Sequence, residues 1–301
     1  MNDIKKIGLT ALAGSLLASS VYAAEMTATA GASLTWTSAD DDEVTGQALT
    51  MGNSVTFSGS GDLDNGMSVS YLYKMSDSSH TSSNVLIDMG DAGVAGIGRG
   101  NSGAGIRTVR YKLPTAGEEV WDDTDTDDNG IVGTGDTNAL YYTNSFGGVG
   151  FSGSYHKDDD TEKSFALTYS GLVDGLTIGY GNGEVGSTQD QMTMFVSYTM
   201  GGLTAAYQVA ELDNSGATAD EDATGVGVSF AVNESLSVSY GIWDVDMGTG
   251  TDEESSGVSA SYTSGGMTVG LVLFISFKDF SIEPLLIKTL FFQFLIQVKN
   301  F

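Results

Sequence analysis

The sequence predicts an all-β protein, an antiparallel transmembrane β-barrel of about sixteen strands, and three observations support this fold class. Segments of about ten residues alternate apolar and small polar side chains, which fits the period of a strand and the length of a tilted bilayer span. Two-glycine links join several of these segments, and glycine supplies the positive φ angles of tight hairpins. Short turns alternate with long acidic loops, as expected for the two ends of a membrane barrel.

The composition excludes several other classes of protein. The chain has 301 residues, no Cys, 41 Gly and 2 Pro, with a net charge of −27 and 41% hydrophobic residues. That apolar fraction is too high for a disordered acidic chain, and no window has the length and hydropathy of a transmembrane helix. The lack of Cys excludes a disulfide framework and a thiolate metal site. The acidity argues against a nucleic-acid partner, because the phosphate backbone would be repelled.

The N-terminus has the three parts of a secretory signal peptide. Lys5 and Lys6 form a basic n-region, residues 7–21 form an apolar h-region, and Val21-Tyr22-Ala23 is a small-residue cleavage site. We therefore expect residues 1–23 to be removed and the mature chain to begin at Ala24. This predicts export, since an h-region of this length with these flanks is typical of a signal peptide rather than a membrane anchor.

The alternating segments give the strands in chain order. Met192, Met194 and Val196 share one face of a segment whose other face carries Thr193 and Ser197. The polar face of such segments is mostly Gly, Ser, Thr and Ala, which favours an apolar face that meets lipid over the inward apolar face of a secreted sandwich or solenoid. The pattern predicts fifteen strands: 27–37, 48–62, 67–75, 84–90, 94–100, 139–146, 149–157, 163–170, 176–185, 191–200, 203–212, 224–232, 236–246, 257–264 and 267–273.

A sixteenth strand is expected, because bacterial single-chain barrels have an even number of strands. A barrel of this size encloses a water-filled channel. The short connections, among them Gly147-Gly148 and Gly201-Gly202, are assigned to the periplasmic rim, and the long acidic ones, among them residues 211–222, to the extracellular side. Tyr198 and Tyr262 precede short turns, where an interfacial aromatic girdle belongs.

The connection 101–138 is far longer than any other, and loops of this length are usually functional or disordered. All three Arg of the chain lie at its start, and acidic residues follow closely. In a sixteen-strand barrel such a loop can fold into the lumen, where opposed basic and acidic groups sort solutes by charge. The alternative is a solvated surface loop with local ion pairs. The candidate constriction residues are Arg99, Arg107, Arg110, Lys112, Glu118 and Glu119.

Within this insertion, residues 125–136 fit the acid spacing of a twelve-residue calcium loop. Oxygen ligands stand at positions 1, 3, 5 and 12, with Gly130 at the sharp turn and a backbone carbonyl at position 7. Position 12 is Asp where Glu is usual, and a solvated acidic run is the alternative. The candidate Ca²⁺ ligands are Asp125, Asp127, Asn129, Ile131 and Asp136.

A catalytic constellation is not evident in the sequence. His80 and His156 stand alone, and the chain has no G-x-S-x-G motif and no metal-binding pair of His. We therefore predict that the protein is not an enzyme.

The chain resembles the Gram-negative outer-membrane porins, in particular the alphaproteobacterial type. The signal peptide ending Val-Tyr-Ala-Ala, the stretch from Val85 to Gly93 that leads into the insertion, the returning segment Ala139-Leu-Tyr-Tyr142 and the repeated Gly-Gly hairpins carry this resemblance, which spans roughly residues 1–273. It implies a sixteen-stranded homotrimeric barrel whose third extracellular loop, here 101–138, narrows the pore beside Arg99. It also implies that residues near 76–83 form a second loop that braces a neighbouring subunit, and it favours bound Ca²⁺ near the constriction.

The C-terminus departs from this pattern. Porins end in a strand with a terminal aromatic residue, whereas residues 278–301 carry three Lys and two acids and lack Gly. Phe292, Phe294, Ile296 and Val298 alternate on the parity opposite to the terminal Phe301. We therefore divide the chain into a signal peptide (1–23), a barrel (24–277) and an atypical tail (278–301), which is either a poor closing strand or out-of-frame sequence; the second interpretation is preferred.

The function expected from these features is passive diffusion of small hydrophilic solutes and ions through the outer membrane, with a preference for cations because the loops are acidic. Outer-membrane lipid and lipopolysaccharide are the expected surroundings, with divalent cations shared between the acidic loops and lipopolysaccharide phosphates. The alternative is a secreted or surface-anchored acidic β-protein with an adhesive or calcium-dependent structural role.

Overall fold

The computed structural model describes residues 26–38, 49–99, 104–117, 138–157, 161–216, 219–248, 252–265, 267–275 and 290–299. Within them the chain forms two single turns of 3-10 helix, Gly90–Ala92 and Gly105–Thr108, and sixteen strands. The strands are β1 (Thr27–Ser38), β2 (Leu49–Asp62), β3 (Ser68–Ser76), β4 (Ser79–Asp88), β5 (Val94–Arg99), β6 (Ala139–Phe146), β7 (Val149–Lys157), β8 (Thr161–Tyr169), β9 (Leu176–Val185), β10 (Gln189–Met200), β11 (Leu203–Asn214), β12 (Glu221–Ala231), β13 (Leu236–Asp246), β14 (Glu253–Ser264), β15 (Met267–Ile275) and β16 (Leu290–Lys299).

The strands form one closed antiparallel barrel in chain order. β16 pairs with β15 on one side and with β1 on the other, so that Phe294 lies opposite both Leu271 and Trp36. A closed barrel has no free edge, and every strand therefore has two partners for its backbone hydrogen bonds. The predicted fold class is confirmed, and the tail supplies the missing sixteenth strand; whether that tail is native sequence stays a prediction.

The apolar face of the strands lies on the outside of the barrel. On β10, Met194 is 45% and Val196 40% exposed, whereas Thr193, just before Met194, is fully buried inside, and Phe195, between the two, is 8% exposed. The same alternation runs through the wall, with Leu140, Tyr155, Phe165, Tyr207, Val226, Tyr240 and Val258 among the exposed side chains. An apolar surface on this scale is what a bilayer requires, because its core offers no hydrogen-bond partner to polar groups.

The short turns show why glycine was required in them. Gly147 and Gly148 connect β6 to β7 with φ angles of 55° and 86°. Two successive positive φ angles define the tight hairpin turn whose twist matches that of its strands, and residues with a Cβ rarely adopt them.

The expected second extracellular loop near 76–83 is wrong. β3 and β4 continue to a two-residue turn, Asp77-Ser78, and a bulge after Lys74 takes up one extra residue. The turn is bound to its own barrel: the Asn53 N–H donates to the Asp77 carboxylate at 2.7 Å, and the Asp77 N–H donates to the Asn53 carbonyl at 2.9 Å. The first residues of β4, Ser79 to Ser83, carry only polar side chains, so the apolar–polar alternation that indicates a strand is absent there and the strand was expected to begin only at residue 84. A turn of two residues is too short to brace a neighbouring subunit.

The predicted signal peptide, residues 1–23, lies outside the described residues. In the described part of the chain, no helix is long and apolar enough to cross a membrane.

Candidate functional site: the loop inside the barrel

Residues 104–117 enter the barrel and lie against its inner wall, which confirms the prediction of a loop folded into the pore. The 3-10 turn Gly105–Thr108 places Ile106 on the wall, where it packs with Val109, Ala166 and Phe195. Ile106 and Val109 are fully buried. Gly181 on β9 makes this approach possible, because a Cβ there would stand 2.8 Å from Ile106 Cγ1. The first half of the loop is therefore docked on β8–β10.

A second apolar cluster fixes the far end of the same segment. Leu113 packs against Trp243, which is fully buried inside the barrel, and against Ala206, Ala210 and Ala223. Gly225 and Gly227 leave room for Leu113 and Pro114. Small residues at the inward positions of β11 and β12 thus form a socket for Leu113. A large aromatic residue beside it fills the space that remains.

Hydrogen bonds from the loop backbone to the wall complete the attachment. The inward positions of four strands carry serines whose hydroxyls accept loop N–H groups at 2.8–3.1 Å. The pairs are Gly105 to Ser152, Ile106 to Ser164, Ala116 to Ser239 and Gly117 to Ser259. These bonds satisfy backbone donors that lack partners in regular secondary structure. The loop is therefore attached from β7 to β14, which is half of the sixteen-strand ring.

Three of the predicted constriction residues lie on this docked segment. Arg107, Arg110 and Lys112 are all half-buried. The Arg110 guanidinium stands 4.2 Å from the centre of the Tyr111 ring and donates to the Tyr111 hydroxyl. Burial lowers the pKa of the Lys112 ammonium. The loop therefore presents partly desolvated positive charge to the lumen, where it acts on ions more strongly than in bulk water.

The structure separates Arg99 from this group. Ile97, two residues earlier on β5, is 46% exposed on the outer face, and Arg99 is also exposed. Because side chains alternate along a strand, Arg99 shares the outer face with Ile97, while Gly96 and Gly98 face Tyr141 inside. The expectation that Arg99 lines the pore wall is therefore corrected. Neighbouring residues of a strand point to opposite faces, so Gly98 faces the lumen and Arg99 faces outward.

The remaining predicted residues lie outside the described residues. These are Glu118 and Glu119 of the constriction and the candidate Ca²⁺ ligands Asp125, Asp127, Asn129, Ile131 and Asp136. Among the residues that the structure describes, no group of three or more His, Asp and Glu side chains could hold a metal ion. The calcium loop therefore stays a prediction.

Several wall residues of the site escaped the sequence reasoning. Gln208 and Trp243 are fully buried on the inner face, and both contact the loop. The signal was present in the parity of the strands, since both stand at inward positions where Gly, Ser and Ala are the rule. A bulky residue among small ones on the inner face of a wide barrel indicates something to pack against.

A closed barrel with an apolar outer face, a polar inner face and a loop anchored across half of its lumen is a membrane channel. A family model described as Gram-negative porin matches residues 8–273, and the chain belongs to the Gram-negative porin family. It is therefore an outer-membrane channel protein, and the family's members are not enzymes.

Solved structures show the same fold. The triple-mutant porin of Rhodopseudomonas blastica is 13% identical with a TM-score of 0.67, and a porin refined at 1.8 Å resolution is 16% identical with a TM-score of 0.68. A structure described as showing asymmetric conductivity of engineered proteins is 14% identical with a TM-score of 0.68. In each case the match covers 91% of this chain and 100% of the other. No curated protein sequence matches the chain.

Proposed function

We propose that the channel carries small hydrophilic solutes and ions by passive diffusion and that it prefers cations at low salt. The docked loop is the observation that supports this, because it narrows a polar lumen without filling it. The loop contacts β7–β14, and on the other side of the barrel β1 and β2 carry inward Ser33, Ser54, Thr56 and Ser58. A sixteen-strand barrel is wide enough for a water-filled channel.

The charges near the mouth favour cations. Strand alternation places Glu162, Glu221 and Glu253 on the inner face at the loop end of the barrel, in a chain with a net charge of −27. Such carboxylates raise the local concentration of cations. Arg110 and Lys112 act in the opposite sense deeper in the lumen. The preference is therefore modest, and it weakens as salt screens the exposed acids.

Reversal potentials in planar bilayers with a salt gradient test this proposal. We expect cation preference at low ionic strength that declines as salt is raised. Anion preference at low salt would refute the selectivity, and purified protein without channel steps would refute the transport function. Release into the medium without detergent would instead favour the secreted acidic β-protein.

A homotrimer is proposed on the grounds of family membership. Because the β3–β4 turn is bound to its own barrel, the subunits would associate through barrel walls rather than through a bracing second loop. Gel mobility with and without heating, together with native mass, tests this state. A monomer in mild detergent would contradict it.

Lipopolysaccharide is the proposed lipid partner. Acidic residues lie directly opposite one another on the outer face near the loops: Asp190 opposite Glu184 and Asp213, and Asp222 opposite Glu211 and Asp246. Like charges at such positions destabilise a sheet. Divalent cations shared with lipid phosphates would relieve this repulsion. A melting temperature that EDTA leaves unchanged in lipopolysaccharide-containing micelles would contradict the proposal.

Calcium binding by residues 125–136 is also proposed, on acid spacing alone, with a solvated acidic run as the alternative. Calorimetry of the intact protein should show a Ca²⁺ heat that Asp125→Asn removes. No heat from the intact protein would remove calcium from the function.

A further inference from the structure

Gln208 connects the barrel wall to the turn of the loop that carries the pore cations. It stands at an inward position of β11 and is fully buried. Its Nε2 donates to the Val109 carbonyl at 3.0 Å, and its Oε1 accepts the Lys112 N–H at 2.7 Å. Nε2 also donates to Thr193 Oγ1 at 2.9 Å, and the Thr193 hydroxyl in turn donates to the Val209 carbonyl at 2.9 Å. Both amide donors and the amide oxygen therefore have partners.

These contacts make the amide part of the turn itself. In a closed β-turn the carbonyl of the first residue accepts the N–H of the fourth. Here those two groups belong to Val109 and Lys112, and the Gln208 amide stands between them, one atom bound to each. Rotating the amide by half a turn would set two donors against each other at Lys112, so a single orientation satisfies the site.

The two residues between these bonds, Arg110 and Tyr111, form the centre of the turn, and Tyr111 also packs against the cluster of Leu113 and Trp243. Arg110 stacks on Tyr111, and Tyr111 has a φ of 53°, a value that residues other than Gly rarely adopt. Such a conformation persists only where its surroundings enforce it. Ile106 and Leu113 hold the segment on either side of the turn, but the bonds to Gln208 act on the turn itself.

We propose that Gln208 is the positioning residue that holds the turn 109–112, and with it Arg110 and Lys112, in place in the pore. This inference rests on the proposed channel function, because it assigns to Gln208 the stability of the open pore and part of its selectivity. Without the clamp the turn is released into the lumen, where it obstructs current and moves the two cations.

The neighbouring strand supplies a matched control. Gln191 on β10 is also inward and 2% exposed, but neither of its amide atoms has a hydrogen-bond partner. Met has a similar length and no amide, so Gln208→Met and Gln191→Met remove the same group from neighbouring strands. Two lost hydrogen bonds predict a roughly 10–30-fold rise in the population of the released turn. Because the Gln191 amide makes no hydrogen bond to the loop, its loss should leave the turn in place.

Two readouts separate this inference from the proposed function. In single-channel recordings we expect Gln208→Met to show brief partial closures and a shifted reversal potential, with Gln191→Met like wild type. Hydrogen exchange in detergent should show a faster Lys112 amide in Gln208→Met only, whether or not the protein conducts. A wild type without channel steps would refute the proposed function, but the exchange data would still test whether Gln208 holds the turn. Equal exchange of the Lys112 amide in both variants would overturn the role of Gln208.

Gln208→Glu provides a second variant that keeps the size of the side chain. A neutral Glu has an O–H donor for Val109 and an acceptor for Lys112, whereas an ionised one cannot donate. The inward positions around it, Thr193, Ala206, Ala210 and Gly225, are uncharged, and the charged groups of the docked loop are Arg107, Arg110 and Lys112. We expect wild-type recordings at acid pH and partial closures at alkaline pH. Behaviour identical to wild type at every pH would contradict the clamp.

Discussion

Gly225→Ala tests whether the loop remains docked because the wall leaves space for it. The added Cβ would collide with the Trp243 ring and stand 2.7 Å from Leu113 Cδ1. Trp243 is fully buried in the same cluster as Leu113, so we expect the strain to displace Leu113, the anchor of the far half of the loop. Overpacking of this kind costs about 1–3 kcal/mol, which shifts the balance between docked and undocked loop by roughly 5- to 150-fold.

Liposome swelling with sugars of graded size measures the outcome. Because the displaced segment moves from the wall into the lumen, we expect Gly225→Ala to exclude larger sugars that wild type admits and to show a lower, noisier single-channel current. Gly153→Ala is the matched control, because that Cβ would point outward and meet the Phe151 ring at 3.3 Å and the Ser164 carbonyl at an ordinary contact distance of 3.8 Å. Heat-modifiable mobility on gels shows that each variant is a folded barrel. A folded Gly225→Ala channel with the size limit and conductance of wild type would refute the reasoning.

Two further predictions concern the cations of the site. Arg110→Ala should shift the reversal potential toward stronger cation preference, whereas Arg99→Ala, on the outer face, should leave it unchanged; equal effects would return Arg99 to the pore. Because burial lowers the pKa of Lys112, this ammonium loses its proton at a pH below the ordinary range for Lys, and cation preference should rise there as pH increases. The rise should disappear in Lys112→Met. If wild type and Lys112→Met show the same dependence of cation preference on pH, other titratable groups cause the rise.

The sequence predicts the barrel well because one physical rule governs almost every residue of the wall. Lipid outside and water inside impose a strict alternation, so the ends of β6, β7, β9 and β13 agree with the expected bounds. The predicted start of β4, at residue 84, is too late for the same reason. Its first residues, Ser79 to Ser83, lack apolar side chains on either face, and the alternation that identifies a strand is invisible there.

The site was predicted less completely, since the sequence shows that a loop enters the lumen but not where it attaches. The charges of Arg110 and Lys112 marked the right segment. Its attachment depends on residues from β7 to β14, such as Ser152 and Gln208, that are scattered over more than a hundred positions. Ser and Gly at inward positions suit a water-filled pore as well as a docked loop, and only the contacts distinguish the two.

Lys74 is a positive charge on the barrel wall that tests whether the loop alone sets the electric field across the lumen. It is exposed on the inner face of β3, three positions after the outward Tyr71. In the ring, β3 stands eight strands from β11, where Lys112 is bound, in either direction. The described lumen thus carries positive charge on opposite sides, and Lys74→Glu would set a carboxylate against Arg110 and Lys112. We expect this exposed substitution to leave folding intact and to increase cation preference. The outward Lys157→Glu makes the same charge change as a control. If both variants shift the reversal potential equally, net charge rather than position sets selectivity, and the assignment of Lys74 to the pore is wrong.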